Sequence, residues 1–410
     1  MTTRRNFMLG SLGLGGLAAL GGLAPVARAS GSKRLIIYFA YGGWDPTYLF
    51  DPKPGSSTVD TPTGDWVTHG DLTLWDTGSM SATHDFLGRY ADRIAVVNGV
   101  SVSSLVHEEC ARRLLTGTSA ELLGDVASRV ASRLGETRPV PYFTLGANAR
   151  AHGHEAQAAT LGWFNQLQSL VAPDLAWPTD GRRLAPSSAL DDDVQAYLSR
   201  RMEQLGDVRG LDGTNAARLA DYAESLSRAE QIRAFVPGSF LEDWSLFNSY
   251  DVVGHAAAAL AEGFSQTAFI SDGGYWDTHS GNNQQAGMFD DLADGLSDLL
   301  AALERAGIAD DTVVMVVSEM GRSPLINALG GKDHWPYTSA MLIGAGVNPV
   351  VVDGTDDTLR QQRIDLNTGG ASSSGHALQT HDVLATVTEL VGLDPAELYP
   401  EGEVIHAVVG

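Results

Sequence analysis

The sequence predicts one α/β domain, a three-layer sandwich whose central sheet is mostly parallel. Two observations predict it. Short runs such as Leu35-Ile36-Ile37-Tyr38-Phe39 are apolar at every position, and helical patterns lie between such runs. A strand apolar on both faces must be covered on both faces, as strands of parallel sheets are. Strands alternating with helices supply that cover.

Residues 1–29 stand apart from this pattern. Arg4-Arg5 precede a Gly/Leu/Ala-rich stretch from Leu9 to Leu23, and Pro25 and Ala27-Arg28-Ala29 follow. Paired arginines, a modest apolar run and a small-x-small ending make a Tat-type signal peptide, placing the mature protein in the periplasm or outside the cell. A short membrane anchor fits less well, because the run is too short and too glycine-rich to span.

The domain then occupies residues 30–410. Its first strand, Lys33–Ala40, ends at Gly42-Gly43. Further strands are expected at Ile94–Val97, Tyr142–Leu145, Thr267–Ile270, Thr312–Val317 and Ala340–Ile343. Helices are expected at His107–Leu115, Val126–Leu134, Gln284–Arg305 and Asp382–Val391. From about residue 149 to 254 clear strands are lacking, and helical segments at Asp192–Leu205 and Asn215–Phe235 indicate a helical insertion laid over the sheet. Gly/Ser/Thr/Asp-rich stretches at Asp51–Gly70 and Val352–Gly375 read as exposed loops.

Composition narrows the function. The net charge is −23, and loss of Arg4, Arg5 and Arg28 with the leader would make it more acidic still. Such a surface repels nucleic acid and anionic lipid. Nothing after the leader approaches a transmembrane length. Cys110 is the only cysteine, so no intrachain disulfide forms and stability rests on the core. Gly-x-Ser-x-Gly, Walker and Cys-x-x-Cys motifs are missing after the leader, which argues against serine-hydrolase, nucleotide-triphosphatase and redox chemistry.

Ligands of parallel α/β sheets bind outside the carboxyl ends of strands. After the first strand comes Gly42-Gly43-Trp44-Asp45. After Thr267–Ile270 comes Gly274-Tyr275-Trp276-Asp277-Thr278-His279. Thr312–Val317 leads into Ser318-Glu319-Met320-Gly321-Arg322, and Gly331-Lys332-Asp333-His334 precedes the strand at Ala340. Four loops each bring a carboxylate, and two add a histidine. Converging carboxylates need a compensating cation, so Asp45, Asp277, His279, Glu319 and His334 are candidate ligands of a divalent metal, with Zn, Mn, Mg and Ca all open. Arg322 could fork onto an oxyanion. Taken singly, each has a plainer reading: Asp45 as a turn or cap residue, Asp277 with His279 as a capping pair, Glu319 as a salt link to Arg322, His334 as a loop histidine. His152-x-His154 has ligand-like spacing in a polar loop, and His376 and His381 flank a helix start.

These last three motifs resemble a Tat-exported bacterial family, the domain of unknown function 1501, within the alkaline phosphatase/sulfatase superfamily. The likeness is strongest from Thr267 to Leu398 and weak across the helical middle. It implies an alkaline-phosphatase-like fold. It also implies metal ligation by Asp45, Asp277, His279, Glu319 and His334. Leu114-Leu115-Thr116-Gly117 resembles the end of the superfamily's nucleophile helix, which places His107 where a Ser, Thr or Cys is usual. His107 and Arg322 are therefore the candidate catalytic residues. The expected function is an exported metal-binding protein, with hydrolysis of a small-molecule or polymer-borne phosphate or sulfate ester as its reaction. The alternative is a non-catalytic exported binding or surface protein on a degenerate hydrolase fold.

Overall fold

A computed structural model describes residues 33–161, 167, 188–206, 213–242 and 252–410. The expected leader and part of the expected insertion lie outside the described residues. In chain order come β1 (Arg34–Phe39), β2 (Asp65–His69), β3 (Leu72–Asp76), α1 (Ser81–Tyr90), β4 (Ile94–Ser101), α2 (His107–Thr116), α3 (Val126–Leu134), β5 (Tyr142–Leu145) and β6 (Ala158–Leu161). Next are α4 (Ser188–Gly206), α5 (Gly213–Phe235), α6 (Val252–Ala261), β7 (Thr267–Ser271), α7 (Gln285–Ala306) and β8 (Thr312–Val317). The chain closes with β9 (Gly321–Ile326), β10 (Lys332–Trp335), β11 (Tyr337–Gly344), β12 (Val350–Val352), α8 (Thr380–Leu390) and α9 (Pro395–Leu398).

Eight strands form the central sheet in the order β12-β4-β11-β8-β1-β7-β5-β6. Alternate side chains of β1 feed opposite faces. Ile36 and Tyr38 join a core with Leu87, Leu260, Phe289 and Leu296, under α1, α6 and α7. Leu35, Ile37 and Phe39 join another with Leu114, Val130, Val383 and Val387, under α2, α3 and α8. Each of these aliphatic side chains contributes about 1.5–3 kcal/mol on burial. The three-layer α/β class expected from the sequence is thus the observed one.

Strand β2 lies within Asp51–Gly70, a stretch expected as a loop, and pairs with β3, and two further features stand out against the expected pattern. Strand β6 falls in the stretch read as free of strands, and it pairs with β5 at the sheet edge. Its Ala158-Ala159-Thr160 segment is only partly buried, so it carries no continuous apolar signal. In the same stretch, α5 buries Ile232 against the first core, and Arg228 donates to the Arg138 carbonyl at 2.8 Å.

The last of these features matters for the site. Strand β11 runs antiparallel to both neighbours, β4 and β8. Its first residues therefore lie beside Val317 and Ser101, at the carboxyl edge of the parallel strands. A segment just before β11 thus reaches the same edge as segments just after β1, β4, β7 and β8. Among the described residues, no helix is long and apolar enough to cross a membrane.

Candidate metal centre

Strand β1 lies between β7 and β8, so its exit loop is pressed between theirs. Gly42 makes this fit possible: its φ is +128°, and a Cβ there would stand 2.6 Å from the Asp277 nitrogen. Gly331 does the same on the other side, where a Cβ would come within 2.2 Å of the His279 carbonyl carbon. Gln285, buried at the start of α7, ties the loops together. It accepts from Asp45 N at 2.9 Å and donates to the Trp276 carbonyl at 3.0 Å.

Three histidines meet Asp277 at this edge. His107 opens α2, with Nδ1 2.6 Å from Glu319 Oε1. Both Glu319 oxygens already accept from Gly42 N, at 2.9 and 3.0 Å. His334 Nδ1 lies 2.7 Å from the Leu105 carbonyl oxygen. His279 Nδ1 lies 3.3 Å from Asp333 Oδ1, which also accepts from Asn327 Nδ2 at 3.0 Å. A carbonyl or carboxylate can only accept, so a neutral ring that donates to these partners through Nδ1 leaves Nε2 a lone pair.

The three Nε2 atoms then face Asp277. Its Oδ1 lies 3.2 Å from His279 Nε2 and 3.4 Å from His334 Nε2, and its Oδ2 lies 3.5 Å from His107 Nε2. His279 Nε2 and His334 Nε2 are 2.9 Å apart. One ligand atom each from His107, Asp277 and His334 fall within 4.8 Å of one another. His107 Nε2 is buried without a hydrogen-bond partner. Acceptors crowded against acceptors repel unless a cation or a proton sits among them. The donor set of His107, Asp277 and His334, two imidazoles and a carboxylate with His279 beside them, could hold a metal ion.

The other candidates are placed differently. Glu319 is fully buried and orients His107. Arg322 is also fully buried. It donates to the carbonyls of Gly43 at 2.8 Å, Lys332 at 3.1 Å, Trp276 at 3.1 Å and Gly42, and to Asp277 Oδ1 at 2.6 Å. That guanidinium clamps loops and Asp277; the open-faced fork expected of it is not its geometry. Asp45 stands outside the cluster. It caps the 3-10 turn Pro46–Tyr48 through Thr47 N and pairs with Lys332 Nζ at 2.9 Å. His376 bonds Asp382 at 2.8 Å, and His152 lies 3.5 Å from Glu155; neither joins the group.

Charge within the site is uneven. The hydrogen bond His107 makes to Glu319 raises the His107 pKa against the opposing effect of burial, with the charges of Glu319 and Asp277 adding to the rise. Burial pushes Asp277 up, but the Arg322 hydrogen bond and charge outweigh it and hold the carboxyl below its usual range. Burial, then Glu319, raises Tyr41, whose ring centroid is 5.5 Å from that of His107.

Sequence reasoning counted Asp333 only as the fourth loop's carboxylate and missed Lys332 and Gln285 as site-building residues. Lys332 stood within the quoted Gly331–His334 motif, and adjacency to His334 was its only signal.

The family model described as a protein of unknown function, DUF1501, matches residues 255–404. That stretch contains Asp277, His279, Glu319 and His334, and it is the family the motifs resemble. No curated protein matches the sequence. Similar solved structures include a protein in the alkaline phosphatase superfamily from Vibrio parahaemolyticus, 11% identical with a TM-score of 0.36, covering 88% of this chain and 67% of that one. A sulfatase from Pseudoalteromonas sp. is 11% identical with a TM-score of 0.38, covering 90% and 70%. The phosphonate monoester hydrolase of Agrobacterium radiobacter is 13% identical with a TM-score of 0.35, covering 92% and 77%.

Proposed function

We propose that this chain is an exported metal-dependent hydrolase of phosphate or sulfate esters. In this reading His107, His279, His334 and Asp277 hold a divalent cation, with Zn or Mn favoured over Mg or Ca by the three imidazoles. The observation that carries it is the convergence of the His107, His279 and His334 Nε2 atoms on the Asp277 carboxylate, with each Nδ1 facing an acceptor on Glu319, Asp333 or Leu105. Bound there, the ion would supply Lewis acidity toward an ester oxygen and acidify water.

The chain's own residues set the rest. His107 stands where the resemblance expects a hydroxyl or thiol, so the covalent route through Ser, Thr or Cys is replaced by attack of water. Glu319 fixes the ring that meets the ion. The cluster is open on one side, with His279 43% exposed. Exposed Leu105, Val106 and Tyr275 adjoin His107 and Asp277 in sequence and suit the organic part of a small or polymer-borne ester. The leader supports a substrate met outside the cytoplasm.

Metal analysis of the purified protein tests the site, followed by hydrolysis of aryl phosphates and aryl sulfates with Zn, Mn, Mg or Ca added. Bound metal with turnover is expected, and a protein inert with every cation sinks the hydrolase reading. One observation favours the non-catalytic alternative: Arg322 spends its donors on buried carbonyls and Asp277, and so offers nothing to a substrate oxyanion. Retained metal without turnover of any ester would select it.

A further inference from the structure

Lys332 opens β10 and is fully buried, as is Asp45. The Asp45 carboxylate accepts three hydrogen bonds and faces one buried ammonium. Oδ1 accepts Thr47 N at 3.1 Å and Thr47 Oγ1 at 2.8 Å. Oδ2 accepts Asn282 Nδ2 at 2.7 Å and lies 2.9 Å from Lys332 Nζ. Three of the roughly four lone-pair sites of the ionised carboxylate thus accept hydrogen bonds, and the buried ammonium of Lys332, which makes no hydrogen bond of its own, supplies the compensating charge.

The hairpin of β9 and β10 builds this arrangement. Within β10, Lys332 reaches Asp45 while His334, two residues on, reaches the Asp277 cluster. Arg322, paired across the hairpin with His334, stands at the junction, bonding the Gly43 carbonyl and Asp277. Asp45 is neutralised by Lys332, and Asp277 already faces Arg322. A dication added on the Asp45 side would meet two fixed positive side chains and a carboxylate whose charge Lys332 already balances.

We infer that Lys332 is a built-in cation that takes up the charge at Asp45 a second metal ion would otherwise neutralise, so the chain holds one ion and not a pair. This rests on reading the Asp277 cluster as a metal centre.

The test counts ions on the full-length purified protein, equilibrated with excess Zn or Mn and then desalted. One ion per chain is expected. Two ions overturn the Lys332 assignment and leave the metal centre standing, whereas none overturns both. His334→Ala, which keeps Lys332, should bind no ion after desalting; a retained ion places metal elsewhere and overturns the assignment. Lys332→Ala, checked for folding by circular dichroism, should gain a second ion that Lys332→Ala with Asp45→Asn loses again. A folded Lys332→Ala that still binds one ion also overturns it.

Discussion

Asp45 and Asp277 look alike in sequence: each follows a parallel strand on a glycine-containing loop that carries a tryptophan just before the acid. Gln285 and Arg322 link their loops. Their surroundings are opposite. Asp45 is enclosed by donors, including an ammonium, and has no exposure. Asp277 has the Arg322 guanidinium on one oxygen and imidazole lone pairs around it, with partial exposure. Strand-end position brings an acid to the edge, and the balance of donors against acceptors around it decides whether it has lone pairs to offer a metal.

The comparison breaks first, and most visibly, at Lys332. Removing one partner of a buried ion pair leaves a charge that the interior cannot solvate, at a cost of about 3–5 kcal/mol. Lys332→Met should lower the unfolding free energy of the chelated protein by that amount, read as a fall in its denaturant midpoint. Adding Asp45→Asn should restore most of it, since both charges then go. If Lys332→Met unfolds no more easily than the wild type, the donor-filled description of the Asp45 side fails.

His334→Ala probes the opposite side and should give the opposite profile. His334 is partly exposed, and its one contact outside the cluster is with the Leu105 carbonyl, so its loss should cost the chelated protein only about 0.5–1.5 kcal/mol. Affinity for Zn or Mn should fall at least ~100-fold, the upper end for outer partners of a metal site. Glu319→Gln should follow with a drop of about 10–100-fold, because His107 loses a carboxylate and keeps its place in α2. Isothermal titration calorimetry reads both. Equal affinity in Glu319→Gln and wild type would mean His107 needs no orienting partner.

How much of this was legible in the sequence depended on burial. Tyr142–Leu145, Thr312–Val317 and Val126–Leu134 were read with their observed bounds, because continuous or periodic apolar residues end at Gly or polar neighbours. Strand β6 and the β9–β10 hairpin were missed, since partly exposed strands carry mixed residues. His279, His334 and Asp277 could be picked out because strand ends converge in any such sheet, and His107 because Leu114-Leu115-Thr116-Gly117 resembles the end of the superfamily's nucleophile helix. The separation of Asp45 from them could not. It is set by Asn282 and Lys332, which reach Asp45 from far along the chain, and no local pattern marks which lysine will be buried.

The smallest effect should come from Asp333. Its carboxylate is held below its usual range by Asn327 and then by His279, but it is exposed and the His279 contact is long. An exposed pair contributes about 0.2–1 kcal/mol at most and is screened by salt. Asp333→Asn keeps an oxygen that can accept from His279 Nδ1, so folding should be unchanged and metal affinity should fall by less than about 10-fold, the lower bound for an outer partner. Raising the salt concentration should shrink even that difference, while the loss in Glu319→Gln, whose carboxylate is fully buried, should hold. If Asp333→Asn instead weakens metal as much as Glu319→Gln at every salt concentration, exposure does not grade the partners of the three histidines, and His279 is held as tightly as His107.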